Sequence, residues 1–305
     1  MAAPSARPSR HTESVMMRVP DRRTFLKAGA GLCFSGSLLK ALPASASPIQ
    51  VGCCVSLAKL QQVVDAGFEY IEPAAADLAA LNADEFARTK DRVLASPIRC
   101  EAFNSFIRRK DLVVVGPSVN LPAVKEYVDS TLERCRALGA SVVVWGSAGS
   151  RNVPAGFSRE RAWEQIAVFL QAIAPIAGRH NVTVSLEPLN HKESNILNTG
   201  GETLKMVKQV NRPEIQMIID YYHLRLENEP LSIFDEAGKH INHLHFANPA
   251  GRLWPKSPDE DPMYSAFFAT LKRLNWKGGI SVEGKGSPEQ DGAQAVAFFR
   301  KELQG

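Results

Sequence analysis

From residue 48 onward, short apolar runs alternate with longer stretches in which apolar residues recur every three or four positions. The first pattern reads as strands buried on both faces, the second as amphipathic helices. Strands are predicted at Ile49–Val55, Tyr70–Pro73, Ile98–Asn104, Ser141–Trp145, Val182–Pro188, Ile215–Asp220, Ile241–Ala247 and Gly279–Glu283. Helices are predicted at Leu57–Ala66, Ala83–Leu94, Pro122–Leu138, from the N-cap Ser158 to Ala177, and at Gly201–Val210, Ser232–Ala237, Pro262–Leu274 and Pro288–Leu303. Gly67 and Gly139 stand where the first and third of these helices must stop.

Eight strand–helix units in succession call for parallel strands joined by right-handed crossovers, and eight parallel strands close a barrel. The predicted fold is α/β, a single (β/α)8 or TIM barrel over residues 47–305. A doubly wound open sheet is the alternative. It is weakened because Val55-Ser56-Leu57-Ala58, after the first strand, is not a Gly-rich phosphate turn.

Residues 1–46 stand outside this pattern. Asp21-Arg22-Arg23-Thr24-Phe25-Leu26-Lys27 has the form of a twin-arginine export signal, with Asp21 where Ser or Thr is usual. The Gly/Ala-rich run Ala28–Leu42 is too short for a permanent span, and Ala44-Ser45-Ala46 offers small residues to signal peptidase. The expectation is a periplasmic or exported protein, delivered by the twin-arginine machinery and cleaved near Ala46. What remains is close to the roughly 250 residues of a typical barrel.

Removing the signal changes the charge picture. Of 36 Lys and Arg and 32 Asp and Glu, seven and two fall within 1–46, which leaves 29 basic against 30 acidic residues. The basic balance of the whole chain therefore gives no support to nucleic-acid binding. Cys53, Cys54, Cys100 and Cys135 lie beyond the signal, without a CxxC or Cys/His cluster. The neighbours Cys53 and Cys54 point to opposite faces of a strand, so free thiols rather than a disulfide or structural zinc are expected.

The chemistry gathers at strand ends. Val182-Thr183-Val184-Ser185-Leu186 runs into Glu187, and Pro188 then forbids further ladder pairing. Asp220 ends Met217-Ile218-Ile219-Asp220, His245 lies in His243-Leu244-His245-Phe246, and Glu283 ends Ile280-Ser281-Val282-Glu283. Taken singly, Asp220 reads as a turn cap and His245 as a satisfied core histidine. Four consecutive strands ending this way make coincidence a poor explanation, because a barrel brings those tips to one rim. Three carboxylates and one imidazole suit a hard or borderline divalent ion, Mn²⁺, Mg²⁺ or Co²⁺, with Zn²⁺ as a further candidate. Glu72 and Asn104 end the second and third strands on the same rim and are candidate pocket residues. Phe103, Trp145 and Trp254 are candidates to face a substrate's carbons, although core packing is the default for an aromatic.

These segments resemble the sugar phosphate isomerase/epimerase superfamily with a xylose isomerase-like barrel, the group of ketose 3-epimerases, hydroxypyruvate isomerase and inosose-processing enzymes. The resemblance rests on Leu186-Glu187-Pro188-Leu189-Asn190 with Glu193 and Asn198-Thr199, on Asp220-x-x-His223, on His243-x-His245, on Glu283 and on Gly146–Pro154. It covers residues 48–305 and implies metal ligation by Glu187, Asp220, His245 and Glu283. It also implies substrate contacts from Glu193, His223 and Arg252. Arg252 follows His245 by seven residues, where the epimerases have six, and Ala247-Asn248-Pro249-Ala250-Gly251 lacks their usual glutamate.

The implied reaction is isomerisation or epimerisation of a ketose or keto-sugar. A metal chelating a ketone oxygen and its neighbouring hydroxyl acidifies the adjacent C–H, and Glu187 and Glu283 move the proton on opposite faces. A metal-dependent lyase or dehydratase of keto-sugars or 3-keto-glycosides shares the same residues. An exported sugar-binding protein is the non-enzymatic alternative and needs no paired carboxylates. An apurinic endonuclease with a trinuclear zinc site is disfavoured by only seven histidines, one of them in the leader. The expected partner is a small sugar, and a homo-oligomer is left open.

Overall fold

The computed structural model describes residues 49–304; the expected export signal lies outside the described residues. Eight strands are present: β1 Ile49–Cys53, β2 Tyr70–Ile71, β3 Ala102–Phe103, β4 Val142–Trp145, β5 Thr183–Leu186, β6 Ile215–Asp220, β7 Ile241–Phe246 and β8 Gly278–Val282. They pair in the order β2-β1-β8-β7-β6-β5-β4-β3, always parallel. The remaining gap, between β2 and β3, is closed by isolated bridges at Tyr70–Arg99 and Ala74–Asn104. There the Ile71 N–H donates to the Arg99 carbonyl at 3.1 Å and the Asn104 N–H to the Pro73 carbonyl at 3.1 Å. The result is the expected TIM barrel. Its weakest seam falls where Pro73 has no N–H to give the ladder.

The helices are α1 Leu60–Ala66, α2 Ala75–Ala79, α3 Ala83–Ala95, α4 Leu121–Ala137, α5 Ala148–Arg151, α6 Arg159–His180, α7 Gly200–Val210, α8 Tyr221–Leu226, α9 Ile233–Ala237, α10 Tyr264–Arg273 and α11 Ala293–Leu303. Their ends follow local chemistry. Gly67 takes φ +85° after α1, Asn82 and Glu85 form a capping box at α3, and the Ser158 hydroxyl caps α6 as expected. Three short helices were not predicted: α2, α5 and α8. Each has six residues or fewer, too few to repeat an apolar face, and each begins within four residues of a strand's end.

Alternation along the strands separates two apolar regions. The larger lies between strands and helices. Within it Phe246 stacks on Tyr221 at 4.6 Å and packs against Tyr264, Phe267, Phe268 and Phe299, which fixes β7 against α8, α10 and α11. Such ring pairs contribute roughly 0.5–1.5 kcal/mol each beyond burial. The smaller region, Ala102, Val142, Val144 and Ile218, comes from inward positions of β3, β4 and β6. Two residues further along the same strands stand Asn104, Gly146 and Asp220. The same count places Cys54, Glu72, Glu187, His245 and Glu283 on the inward side at the C-terminal mouth.

Candidate metal centre at the mouth of the barrel

Glu187, Asp220, His245 and Glu283 come together there, with one donor atom from each lying within 4.8 Å of the others. Glu187 and Glu283 follow the last residues of β5 and β8, Asp220 is the last residue of β6, and His245 is paired with Asp220 across the β6–β7 ladder. His245 Nδ1 lies 3.0 Å from Glu187 Oε1 and 3.6 Å from Glu283 Oε2. Asp220 does two things at once. Its Oδ1 accepts from the Tyr222 N–H at 2.8 Å and caps α8, while its buried Oδ2 has no hydrogen-bond partner among the described residues.

The charges here are crowded. Burial, opposed by the Arg252 charge and reinforced by Glu187 and Glu283, pushes the Asp220 carboxyl up to about 7. Burial and the Glu283 charge also raise Glu187. For Glu283 burial is outweighed by His245 and Arg252, which hold it at about 2. An orphaned buried carboxylate oxygen, set among two further carboxylates and an imidazole nitrogen, is the donor set a divalent cation satisfies. The residues fit such an ion. Gly146 completes the cradle, since a Cβ at that position would overlap Glu187 Oε2.

Arg252 reaches the cluster in spite of its spacing. An antiparallel bridge between Asn248 and Leu253 folds the loop after β7, with Gly251 and Arg252 both at positive φ. The Arg252 guanidinium lies 2.5 Å from Glu283 Oε2, 3.3 Å from Glu193 and 3.7 Å from Asp220 Oδ2, and stacks 4.7 Å over the Tyr222 ring. The loop after β5 is folded back on itself: the Leu189 N–H donates to Leu197 O, and Asn198 Nδ2 donates to Leu189 O and Ser194 O. That presents Asn190, whose N–H and Nδ2 donate to His223 Nδ1 at 3.1 and 2.7 Å. With Nδ1 accepting, the His223 proton sits on Nε2, 3.5 Å from Asp220 Oδ2. Burial and the neighbouring Arg252 charge hold His223 down at about 3, so it is neutral at ordinary pH.

Below the rim, buried Arg151 donates to the Trp145 carbonyl at 2.8 Å and the Glu187 carbonyl at 2.6 Å, tying the tips of β4 and β5.

Two expectations change. Glu72 was expected on the pocket wall. It is fully buried behind His245, with both oxygens committed to His243, His245 and Ser281, so no oxygen is left for a substrate. Trp145, Phe103 and Trp254 are core residues: Trp145 donates to Ser150 Oγ, Trp254 to Gly284 O, and Phe103 is fully buried. Asn104 closes the barrel through its backbone, and its side chain makes no hydrogen bond among the described residues. Gly146, Asn190 and Cys54 were absent from the expected site. Counting by twos to each strand tip finds Gly146 and Cys54; Asn190 depends on the loop fold. A cavity of about 350 Å³ lined by Leu121, Gln165 and Phe169 opens in the helical layer and shares no residue with the cluster.

The model of one family, the xylose isomerase-like TIM barrel, matches residues 60–302. The chain belongs to the xylose isomerase-like TIM barrel family. The chain is 29% identical over 224 residues to an L-ribulose 3-epimerase of Methylomonas sp. (strain DH-1), covering 72% of this chain and 74% of the relative. It is 26% identical over 177 residues to the 3-dehydro-D-guloside 4-epimerase of Escherichia coli (strain K12), covering 56% of this chain and 66% of the relative. A crystal structure of D-psicose 3-epimerase in the presence of D-fructose shares the barrel with a TM-score of 0.74 at 18% identity, over 84% of this chain and all of that one.

Proposed function

We propose that this member of the xylose isomerase-like TIM barrel family is a divalent-metal-dependent epimerase or isomerase of a ketose or keto-sugar. The observation that carries the reading is the convergence of Glu187, Asp220, His245 and Glu283, with Asp220 Oδ2 buried and without a hydrogen bond among the described residues. Epimerases are among the relatives matched over most of the barrel. Glu187, Asp220, His245 and Glu283 would hold the ion. When bound, Mn²⁺, Mg²⁺ or Co²⁺ supplies Lewis-acid polarisation of a carbonyl and its neighbouring hydroxyl.

The protein's own groups do the rest. Glu187 and Glu283 are the two carboxylates that can take and return a proton on the carbon between them. They sit in unlike surroundings, Glu187 buried against His245 and Glu283 against Arg252, as an acid and base pair requires. His223 offers a neutral Nε2–H to a substrate oxygen, held in that tautomer by Asn190. Glu193 and Arg252, half-exposed at the rim, would take hydroxyl groups further along the sugar. Asn104, inward at the tip of β3, lines the same mouth in this reading. The E. coli relative, a 3-dehydro-D-guloside 4-epimerase, extends the candidate substrates from free ketoses to keto-glycosides.

The test is incubation in D₂O with Mn²⁺ and a panel of ketoses and 3-keto-glycosides. Deuterium should enter at carbon next to the carbonyl, and Glu283→Gln should slow its entry by at least a hundredfold. Release of a fragment would assign the chain to the lyases instead. Tight sugar binding with neither exchange nor release would make it a sugar-binding protein.

A further inference from the structure

Behind the candidate ligands lies a second polar layer that the reaction above does not use. Glu72, from β2, is fully buried inside the barrel. Its Oε1 accepts from His245 Nε2 at 2.9 Å, and its Oε2 accepts from His243 Nε2 at 2.8 Å and from the Ser281 hydroxyl at 2.5 Å. The Tyr70 hydroxyl lies 2.7 Å from Ser281 Oγ and completes the chain. These side chains share the inward face of three strands: Tyr70 and Glu72 of β2 and its tip, His243 and His245 of β7, and Ser281 of β8. Room for the layer comes from Gly279, where a Cβ would stand 2.8 Å from the Tyr70 hydroxyl oxygen and 3.1 Å from His243 Nδ1.

We propose that Glu72 is a positioning residue for the metal centre, one that fixes the His245 tautomer and ring orientation so that the Nδ1 lone pair faces Glu187, Asp220 and Glu283. The inference rests on the metal-dependent reading above. A carboxylate only accepts, so two histidines can satisfy it only by presenting their Nε2–H groups. With the Nε2–H of His245 committed to Glu72, Nδ1 is the nitrogen a metal can take, and the proton it shares with Glu187 Oε1 at 3.0 Å is the one an ion would displace. Partners of this kind behind a ligating histidine are worth ten- to a hundredfold in metal affinity. Ser281 supplies its single proton to Glu72 and in turn accepts from Tyr70. The carboxylate is thereby held by three donors from two other strands and cannot swing into the pocket. This accounts for a glutamate at the end of β2 that touches no solvent and has no oxygen to spare for substrate.

The test uses the whole chain, Mn²⁺ alone as probe, and four proteins: wild type, Glu72→Gln, Ser281→Ala and Tyr70→Phe. Mn²⁺ affinity is read by electron paramagnetic resonance titration, and the melting temperature is read in chelator. Glu72→Gln should lose ten- to a hundredfold in affinity, Ser281→Ala a smaller factor, and Tyr70→Phe less again. In Mg²⁺-loaded wild type, long-range ¹H–¹⁵N spectra should show His245 protonated at Nε2 and bare at Nδ1. The spectrum keeps the inference testable if Glu72→Gln does not fold. Wild-type affinity in a folded Glu72→Gln, or an Nδ1–H tautomer in the loaded protein, would overturn it. Two Mn²⁺ per chain would overturn it as well, because Cys54, Glu72 and His245 Nε2 would then be ligands of a second ion. If wild type binds no Mn²⁺ at all, the metal-dependent reading itself fails and this inference goes with it. Loss confined to Glu72→Gln leaves that reading intact.

Discussion

The carboxylate of Glu187 lies directly over Gly146, against the face where any other residue would carry its Cβ. The two tips belong to neighbouring strands, β4 and β5, and Arg151 clamps both through their carbonyls. The glycine is therefore part of the centre although it has no side chain. Gly146→Ala should displace Glu187 rather than strain its own backbone. The expected cost is about 1–3 kcal/mol of stability, as for other overpacked positions, together with loss of most of the Mn²⁺-dependent rise in melting temperature. Paired thermal melts with and without Mn²⁺ measure both. An unchanged ion response would show that Glu187 does not need its present position.

Metal removal gives a second outcome. An ion that binds only the folded chain, present at a hundredfold excess over its Kd, stabilises by about 2.7 kcal/mol. For a barrel of this size that is roughly 5–10 °C in melting temperature. Dialysis against a chelator should remove that increment and Mn²⁺ or Mg²⁺ should restore it. Asp220→Asn keeps the α8 cap through the remaining oxygen but loses the ligand charge, so its melting temperature should not respond to either treatment. A normal response in that variant would remove Asp220 from the ligand set.

His223 sets a pH dependence whose sign follows from its burial. Its folded value of about 3 lies below the ordinary 6.5, so between those limits the unfolded chain binds the extra proton. The His223 contribution to stability should therefore be full above about pH 6.5 and fall as the pH drops from there toward 3, while Asp220, raised to about 7, contributes in the opposite sense over the same range. The limiting slope is about 1.4 kcal/mol per pH unit. His223→Gln should remove that contribution, so the stability advantage of wild type over the variant, read by urea denaturation, should grow from pH 4 to 7. A constant advantage across that range would assign the acid sensitivity to other groups.

Export is tested separately, since Arg22 and Arg23 lie outside the described residues. Replacing both with Lys should leave unprocessed precursor in the cytoplasm, as fractionation and immunoblotting would show. Normal processing of the double variant would exclude the twin-arginine route.

The order of strands, their parallel pairing and the position of Glu187, Asp220, His245 and Glu283 at strand ends were legible from residue order alone. Apolar runs and periodic helices state the local conformation, and eight repeats admit few closures. Period-two alternation even settles which residues face inward once a single one is placed. Partner choice across the barrel was not legible. The sequence puts Glu72 and Glu187 in the same light, each an acid after a short strand. Both are buried, and only the fold, which sets His243, His245 and Ser281 around Glu72 and leaves Glu187 beside Gly146 and His245, puts one behind the cluster and the other in it. The same holds for Trp145 and Trp254, whose indoles turn into the core because their N–H groups find Ser150 and Gly284 there. Hydrogen-bond partners separated by 171 to 209 residues depend on strand register and on which side chains fill the interior, and neither is encoded in local periodicity.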